Sequence, residues 1–296
     1  MRAVRSPKKL LRLFPALLIF LLLVLHPLEV RSTQSRGWTV CPQGPPWCSF
    51  SSIQQAINAA SPGDVISIQP GFYRESLIIR KSIVIQGVNP QQVVIQGVRP
   101  GWPAVLVSTA EPGDLLSLVL GLDEPIQVTL QNLQLQGAPW VSQEEQCAEP
   151  GSDICPDGLQ VRGRVTLTAQ NLWVHDNGDD GIDLGLHPRA TIQNSFIWQN
   201  QDDGIDAWLD VEVAIIGNVI TGNAANGIKL QSRHQVTSWL SVTGKVKATI
   251  INNQITNNGG YGIAAQSGEE VVSCYGNLIQ GNGSGPLSPE AWGRCS

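Results

Sequence analysis

The chain has 296 residues, six of them cysteine, with 19 Lys+Arg against 24 Asp+Glu and only 6% aromatic residues. That length allows one or two domains, and a single repeat array absorbs all of it. The acidic balance argues against nucleic acid or an anionic lipid surface as the main partner and leaves room for bound cations.

At the N-terminus, Arg2, Arg5, Lys8, Lys9 and Arg12 precede the apolar run Leu13 to Leu25, and Val30 and Ser32 are near a suitable cleavage point. This is the layout of a secretory signal peptide over 1–32. The run is shorter than the ~20 residues a spanning helix needs, so no stable membrane insertion is expected after cleavage; the alternative is an uncleaved anchor. Without 1–32 the chain keeps 13 Lys+Arg against 23 Asp+Glu, a net charge of −10. Export also predicts disulfides, and proximity suggests Cys41–Cys48, Cys147–Cys155 and Cys274–Cys295.

Residues 33–50 have no period and hold several prolines and two cysteines, which predicts an irregular, disulfide-stapled leader. A short helix follows, capped by Ser51 or Ser52, with Ile53, Ala56, Ile57 and Ala60 on one face. Pro62-Gly63 ends it, and short apolar runs on either side of the turn Pro70-Gly71 follow, as expected of strands. From Val93 to Leu135 their register is hard to assign. Ile126–Asn132 matches Val165–Asn171, and an insertion over roughly 138–156 separates that first coil from its return.

The clearest pattern lies beyond. Asn177, Asn200, Asn223 and Asn258 are each followed four residues later by a glycine and then an isoleucine, at steps of 23, 23 and 35 residues. The long step holds a 12-residue insertion within 232–244. A period of this size means a solenoid. An apolar column at Val174, Ile197, Ile220 and Ile255 accompanies it, and parallel stacking at ~4.8 Å turns such columns into interior ladders. A leucine-rich repeat would need a helical return that these coils are too short to hold. The prediction is an all-β, single-stranded, right-handed parallel β-helix over 51–285 with a capping helix at its start and a tail at 286–296.

The opening SIQQAINAASPGDVISIQPGFYRESLIIRKSIVIQG, together with the repeats, resembles the pectin-lyase-like right-handed parallel β-helix superfamily over nearly the whole exported chain. That superfamily includes pectin methylesterases, polygalacturonases and pectate lyases, and the resemblance implies a secreted protein acting on polysaccharide. Against the polygalacturonase pattern, Asp180 falls at the first aspartate and Asp202-Asp203 resembles the Asp-Asp pair. The next element departs: Ala225-Asn226-Gly227 holds no histidine, and no Arg-Ile-Lys follows.

Two coils carry the same string, Asp-Asp-Gly-Ile-Asp, at 179–183 and 202–206. In register, one column holds Asp157, Asp180, Asp203 and Asn226. The column before it holds Asp179 and Asp202, and the one after the isoleucine holds Gln160, Asp183, Asp206 and Lys229. With isoleucine inward, up to seven carboxylates are expected on one solvent-facing surface. Such a stack repels itself by on the order of 3 kcal/mol per pair at ~5 Å. Calcium, shared protons, or the basic residues Arg162, Arg164, Lys229 and Arg233 would offset that. Asp-Gly is equally a favourable turn pair, so any one of these aspartates is explained as a corner.

The candidate residues are Asp180, Asp202 and Asp203 as acid/base groups and Asp157, Asp179, Asp180 and Asp203 as ligands for calcium. Asp183, Asp206, Trp208, Lys229, His234 and Trp239 are the candidate contacts to substrate. The expected function is a secreted, periplasmic or cell-surface monomer that engages a polyuronate or cell-wall glycan, as a hydrolase or a calcium-dependent lyase. The alternatives are a non-catalytic binding or structural β-helix and a periplasmic accessory protein.

Overall fold

The computed structural model describes residues 35–111, 114–140, 147, 154–235, 241–266, 270–291, 293 and 295. The signal peptide expected over 1–32 lies outside them, and no helix among the described residues is long and apolar enough to cross a membrane.

Successive coils lay their strands into three long parallel sheets. Sheet A has nine strands, from Gly37–Val40 to Glu270–Tyr275, and sheets B and C have eight each, from Gly71–Arg74 to Leu278–Gln280 and from Leu77–Ile79 to Gly285–Leu287. The expected register holds: Ile182, Ile205, Ile228 and Ile263 are stacked in sheet C, and Val174, Ile197, Ile220 and Ile255 in sheet B. All eight are fully buried and form part of one continuous apolar core.

The corners follow from residue type. Leaving sheet A, Asn132, Asn171, Asn194, Gly217, Asn252 and Gly276 take φ between 50° and 69°, the left-handed region that Gly and Asn occupy at least cost. Between sheets B and C, Asn177, Asn200, Asn223, Asn258 and Asn282 form a buried ladder, each Nδ2 donating to the next Oδ1 at 2.8–2.9 Å.

The first coil is closed by helix α1, Ile53–Ala59, which buries Ile53, Ala56 and Ile57. Ser52 is its N-cap, and Glu75 accepts from the Ile53 and Gln54 amides at 2.9 and 3.0 Å, placing a carboxylate at the positive end of the helix. All three disulfides join the pairs that proximity suggests.

Three boundaries differ from expectation. The leader contains the first strand of sheet A, Gly37–Val40, because Val40 is fully buried in the core and Trp38 Nε1 donates to Asp64 at 2.9 Å. The stack runs on to Leu287, which pairs with Ile263. Between sheets C and A, a second helix α2 spans Leu115–Leu120, capped by Asp114 and closed by left-handed Gly121. Its Leu118 joins Ala110, Leu186, Trp208 and Leu209 in a separate apolar cluster.

Candidate acidic site on sheet C

The strands of sheet C place Gln160, Asp183, Asp206 and Lys229 in one column, as expected. The solvent-facing surface expected for the carboxylates is not what forms. Asp157 and Asp203 are fully buried, Asp206 is 4% exposed, and Asp180 and Asp183 are 7% exposed. Only Asp179 and Asp202 are half-buried. Strands Leu159–Arg162, Ile182–Gly185 and Ile205–Trp208 are buried on both faces, whereas in sheet A the outward positions alternate with the buried ones.

The Asp157 column forms a hydrogen-bonded ladder. Asp157 Oδ1 accepts from the Asp180 amide at 2.9 Å, Asp180 Oδ1 from Asp203 at 2.8 Å, and Asp203 Oδ1 from Asn226 at 2.7 Å. The corner role is therefore real, and it uses one oxygen of each carboxylate.

Two cations bracket the column. Arg162, 2% exposed, pairs with Asp183 through Nη2 and lies 4.6 Å over the Trp208 ring. Trp208 in turn donates Nε1 to Asp183 Oδ1 at 2.7 Å. On the fourth coil, Lys229 Nζ stands 3.0 Å from Asp203 and 3.5 Å from Asp206, and Gln231 donates to Asp206 at 2.6 Å. Trp208 is 1% exposed, so it is no platform for a sugar. It packs on Gly185, where a Cβ would lie 2.3 Å from the indole. Register explains the glycine, because Gly185 and Trp208 are neighbours on adjacent strands. Gly185, Asn226 and Gln231 are network members that the candidate set omits, while Arg162 is one of the basic residues expected to offset the acids; the sequence signal for Gly185 is its place opposite Trp208.

Burial dominates the electrostatics. It raises Asp157 and Asp180 well above the usual carboxylate range, with Asp183 adding to the first and Asp206 to the second. Burial and then Asp202 push Asp179 up to about 7, and burial raises Asp206 to about 7 against the pull of Lys229. Asp202 is raised by burial and by Asp203. Burial works against the Lys229 charge, yet Asp206, Asp203 and Asp180 outweigh it and raise its pKa.

Oxygens of Asp157, Asp180 and Asp183 lie within 4.8 Å of one another, as do those of Asp179, Asp180 and Asp202. Asp157 Oδ2 and Asp206 Oδ1 are buried without a hydrogen-bond partner among the described residues. Hard, anionic oxygens with unused acceptor capacity fit calcium. Of the four aspartates expected as ligands, Asp203 is in neither trio. Asp203 is held by Asn226 and Lys229, while Asp183 and Asp202 complete the two trios. His234 sits on the strand Arg233–Gln235, paired antiparallel with Ser241–Thr243 in a sheet of its own. Its side chain, and the whole of Trp239, lie outside the described residues.

Residues 152–293 match a family model described as "Right handed beta helix region". The chain folds as a right-handed parallel β-helix. The pectate lyase Pel9A shares this β-helix at a TM-score of 0.51 and 14% identity over 87% of this chain and 73% of that one. The Azotobacter vinelandii mannuronan C-5 epimerase AlgE6 A-module gives 0.45 and 17%, over 79% and 66%. An alginate lyase from Paenibacillus sp. str. FPU-7 gives 0.43 and 12%, over 86% and 98%. These likenesses concern the fold of the β-helix. No curated protein matches its sequence significantly.

Proposed function

We propose that the protein is an extracellular or periplasmic β-helix that holds calcium among Asp157, Asp180 and Asp183 and engages an acidic polysaccharide at the half-buried edge beside them, where it carries out a lyase-type elimination. The observation that carries this reading is the unpartnered, fully buried Asp157 Oδ2 inside a trio of converging carboxylates. The raised pKa values of Asp157 and Asp180 express the cost of ionising them beside Arg162 and Lys229 alone, a cost that a further cation would offset. Bound there, calcium supplies positive charge close to a substrate carboxylate.

The chain's own groups divide the remaining work. Lys229, with 30% of its side chain exposed and its charge reinforced by the aspartates, offers an ammonium to a uronate carboxylate. Asp179 and Asp202 are the accessible carboxyls, and Asp179, titrating at about 7, is suited to accept a proton near neutral pH. Their oxygens approach within 4.8 Å. That is closer than the ~6.5–9.5 Å of an inverting hydrolase and near the ~5–5.5 Å of a retaining one, so the spacing removes inverting hydrolysis and leaves retaining hydrolysis and elimination. Elimination uses no water as nucleophile: Asp179 takes the proton beside the uronate carboxylate, a carbon–carbon double bond forms as the glycosidic carbon–oxygen bond breaks, and the leaving oxygen takes a proton from solvent. The pectate lyase of like fold agrees with an acidic glycan as partner.

The test is a calcium titration followed by calorimetry and thermal melting, with polyuronates then incubated with and without calcium and assayed for unsaturated ends. No heat and no melting shift would sink the cation site. Calcium binding without product would favour a second reading, a non-catalytic β-helix stiffened by the ion, for which the Asp157–Asp180–Asp203 ladder is the supporting observation.

A further inference from the structure

Away from the acidic site, the outer face of sheet A carries a groove of about 810 Å³ running from the end of α2 across four coils. Arg164, Arg189, Lys245 and Lys247 line it together with Asp210 and Glu212. Four of the 13 Lys and Arg of residues 33–296 thus converge on one groove that is net +2, on a chain segment that is net −10. That concentration runs against the average field of the protein and marks the groove as a place for an anion.

The register gives the charges a spacing. Thr166, Arg189, Glu212 and Lys247 are stacked neighbours on successive strands. Arg189 and Lys247 therefore stand two rungs apart, about 9.6 Å at the ~4.8 Å strand spacing. Arg189 meets Glu212 at 3.7 Å with both side chains more than half exposed, and His187 meets Asp210 at 3.7 Å. Exposed pairs at this distance contribute little and exchange readily for a ligand.

The floor is chemically different. A second groove of about 330 Å³ shares Thr166, Arg189, Glu212 and Lys247 with the first and continues over the column Thr168, Thr191, Ala214 and Thr249. Small side chains leave room for a ring, and their hydroxyls both donate and accept. Cations two rungs apart, an acid between them and a hydroxyl-bearing floor match a chain with alternating anionic groups and many hydroxyls. Polyphosphates lack the hydroxyls that Asp210 and Glu212 would accept from.

The geometry points to a second, calcium-independent binding surface for an acidic oligosaccharide on the outer face of sheet A, centred on Arg189 and Lys247. It is independent of the cation site on sheet C. It would hold a uronate chain on a face the proposed chemistry does not use, so that one polymer, or two neighbouring ones, are kept at the protein.

The experiment measures binding of a fluorescently labelled oligogalacturonate to the full chain in EDTA. Wild type should bind, with affinity falling as salt rises, and the carboxyl-reduced oligosaccharide should bind at least about tenfold more weakly. Arg189→Glu with Lys247→Glu should raise Kd by about tenfold or more, while Arg189→Gln with Lys247→Gln, which disturbs the fold least, should raise it by a smaller factor of the same sign. Asp180→Asn, aimed at the cation site, should leave this binding unchanged, so the two readings fail separately. The proposal is overturned by absence of binding in EDTA, by equal affinity for the reduced sugar, by unchanged affinity in both double variants, or by anionic lipid vesicles competing the sugar away.

Discussion

Of the side-chain ladders that run up this β-helix, two flank sheet C, one of asparagine between sheets B and C and one of aspartate at the entrance to sheet C. In the first, Asn200 donates Nδ2 to Asn223 Oδ1 at 2.9 Å and to the Val174 carbonyl, and its Oδ1 accepts from the amide and side chain of Asn177. Every polar atom is used. In the second, Asp180 Oδ1 accepts the Asp203 amide in much the same way, but a carboxylate has no donor with which to continue the ladder. The unused oxygens collect buried charge. The fourth member, Asn226, shows the other solution: its Nδ2 donates to Asp203 Oδ1 at 2.8 Å. A corner alone needs only what Asn226 supplies, so the three aspartates below it carry something more.

Exchanging the two chemistries should break this comparison. Asn200→Asp places a carboxylate in a fully paired, buried ladder and should cost about 4 kcal/mol or more, read by denaturant unfolding. Gly185→Ala should cost about 1–3 kcal/mol, because the new Cβ meets the Trp208 indole and displaces the bond to Asp183; unfolding together with tryptophan emission checks it. Asp180→Asn has the opposite sign. Copying the Asn226 geometry, it should stabilise the calcium-free protein by about 1 kcal/mol and diminish the stabilisation that calcium confers. If Asp180→Asn destabilises the protein in EDTA, the excess charge of the aspartate ladder is not a liability and the case for a cation weakens.

A dependence on pH is expected as well. Burial raises Asp179 and Asp206 to about 7 in the folded protein, well above the ordinary carboxylate range of the unfolded chain. Between those values the folded state keeps protons that the unfolded chain has released, so stability falls as pH rises through the window. In EDTA the melting temperature should therefore be lower at about pH 8 than at about pH 5. Calcium should flatten that slope, and an unchanged slope would separate the titrating pair from the cation site.

Much of the architecture is legible in one sequence because a solenoid repeats the same local solution. Inward isoleucines, corner asparagines and the 23-residue step name the strands and their register without any long-range information. The columns of the acidic site followed from the same step. What failed was the direction of exposure. A two-residue alternation says that Asp183 and Asp206 point away from the core, and it assumes that water lies beyond. In sheet A that assumption holds, since Arg189, Glu212 and Lys247 are exposed. In sheet C it fails, because Arg162, Trp208 and the apolar cluster around α2 close over the outer face. Helix α2 lies in a stretch without the repeat, so no period announces it.

The sequence by itself thus determined the β-helix, its register and the stacking of seven aspartates over three coils, all consequences of a repeat read locally. Tertiary structure decided the environment of those aspartates. Burial, which depends on what packs from elsewhere in the chain, turned a solvated acidic surface into a network with raised pKa values and unpartnered oxygens. Burial also took Trp208 out of reach of a sugar and left the cationic face of sheet A open.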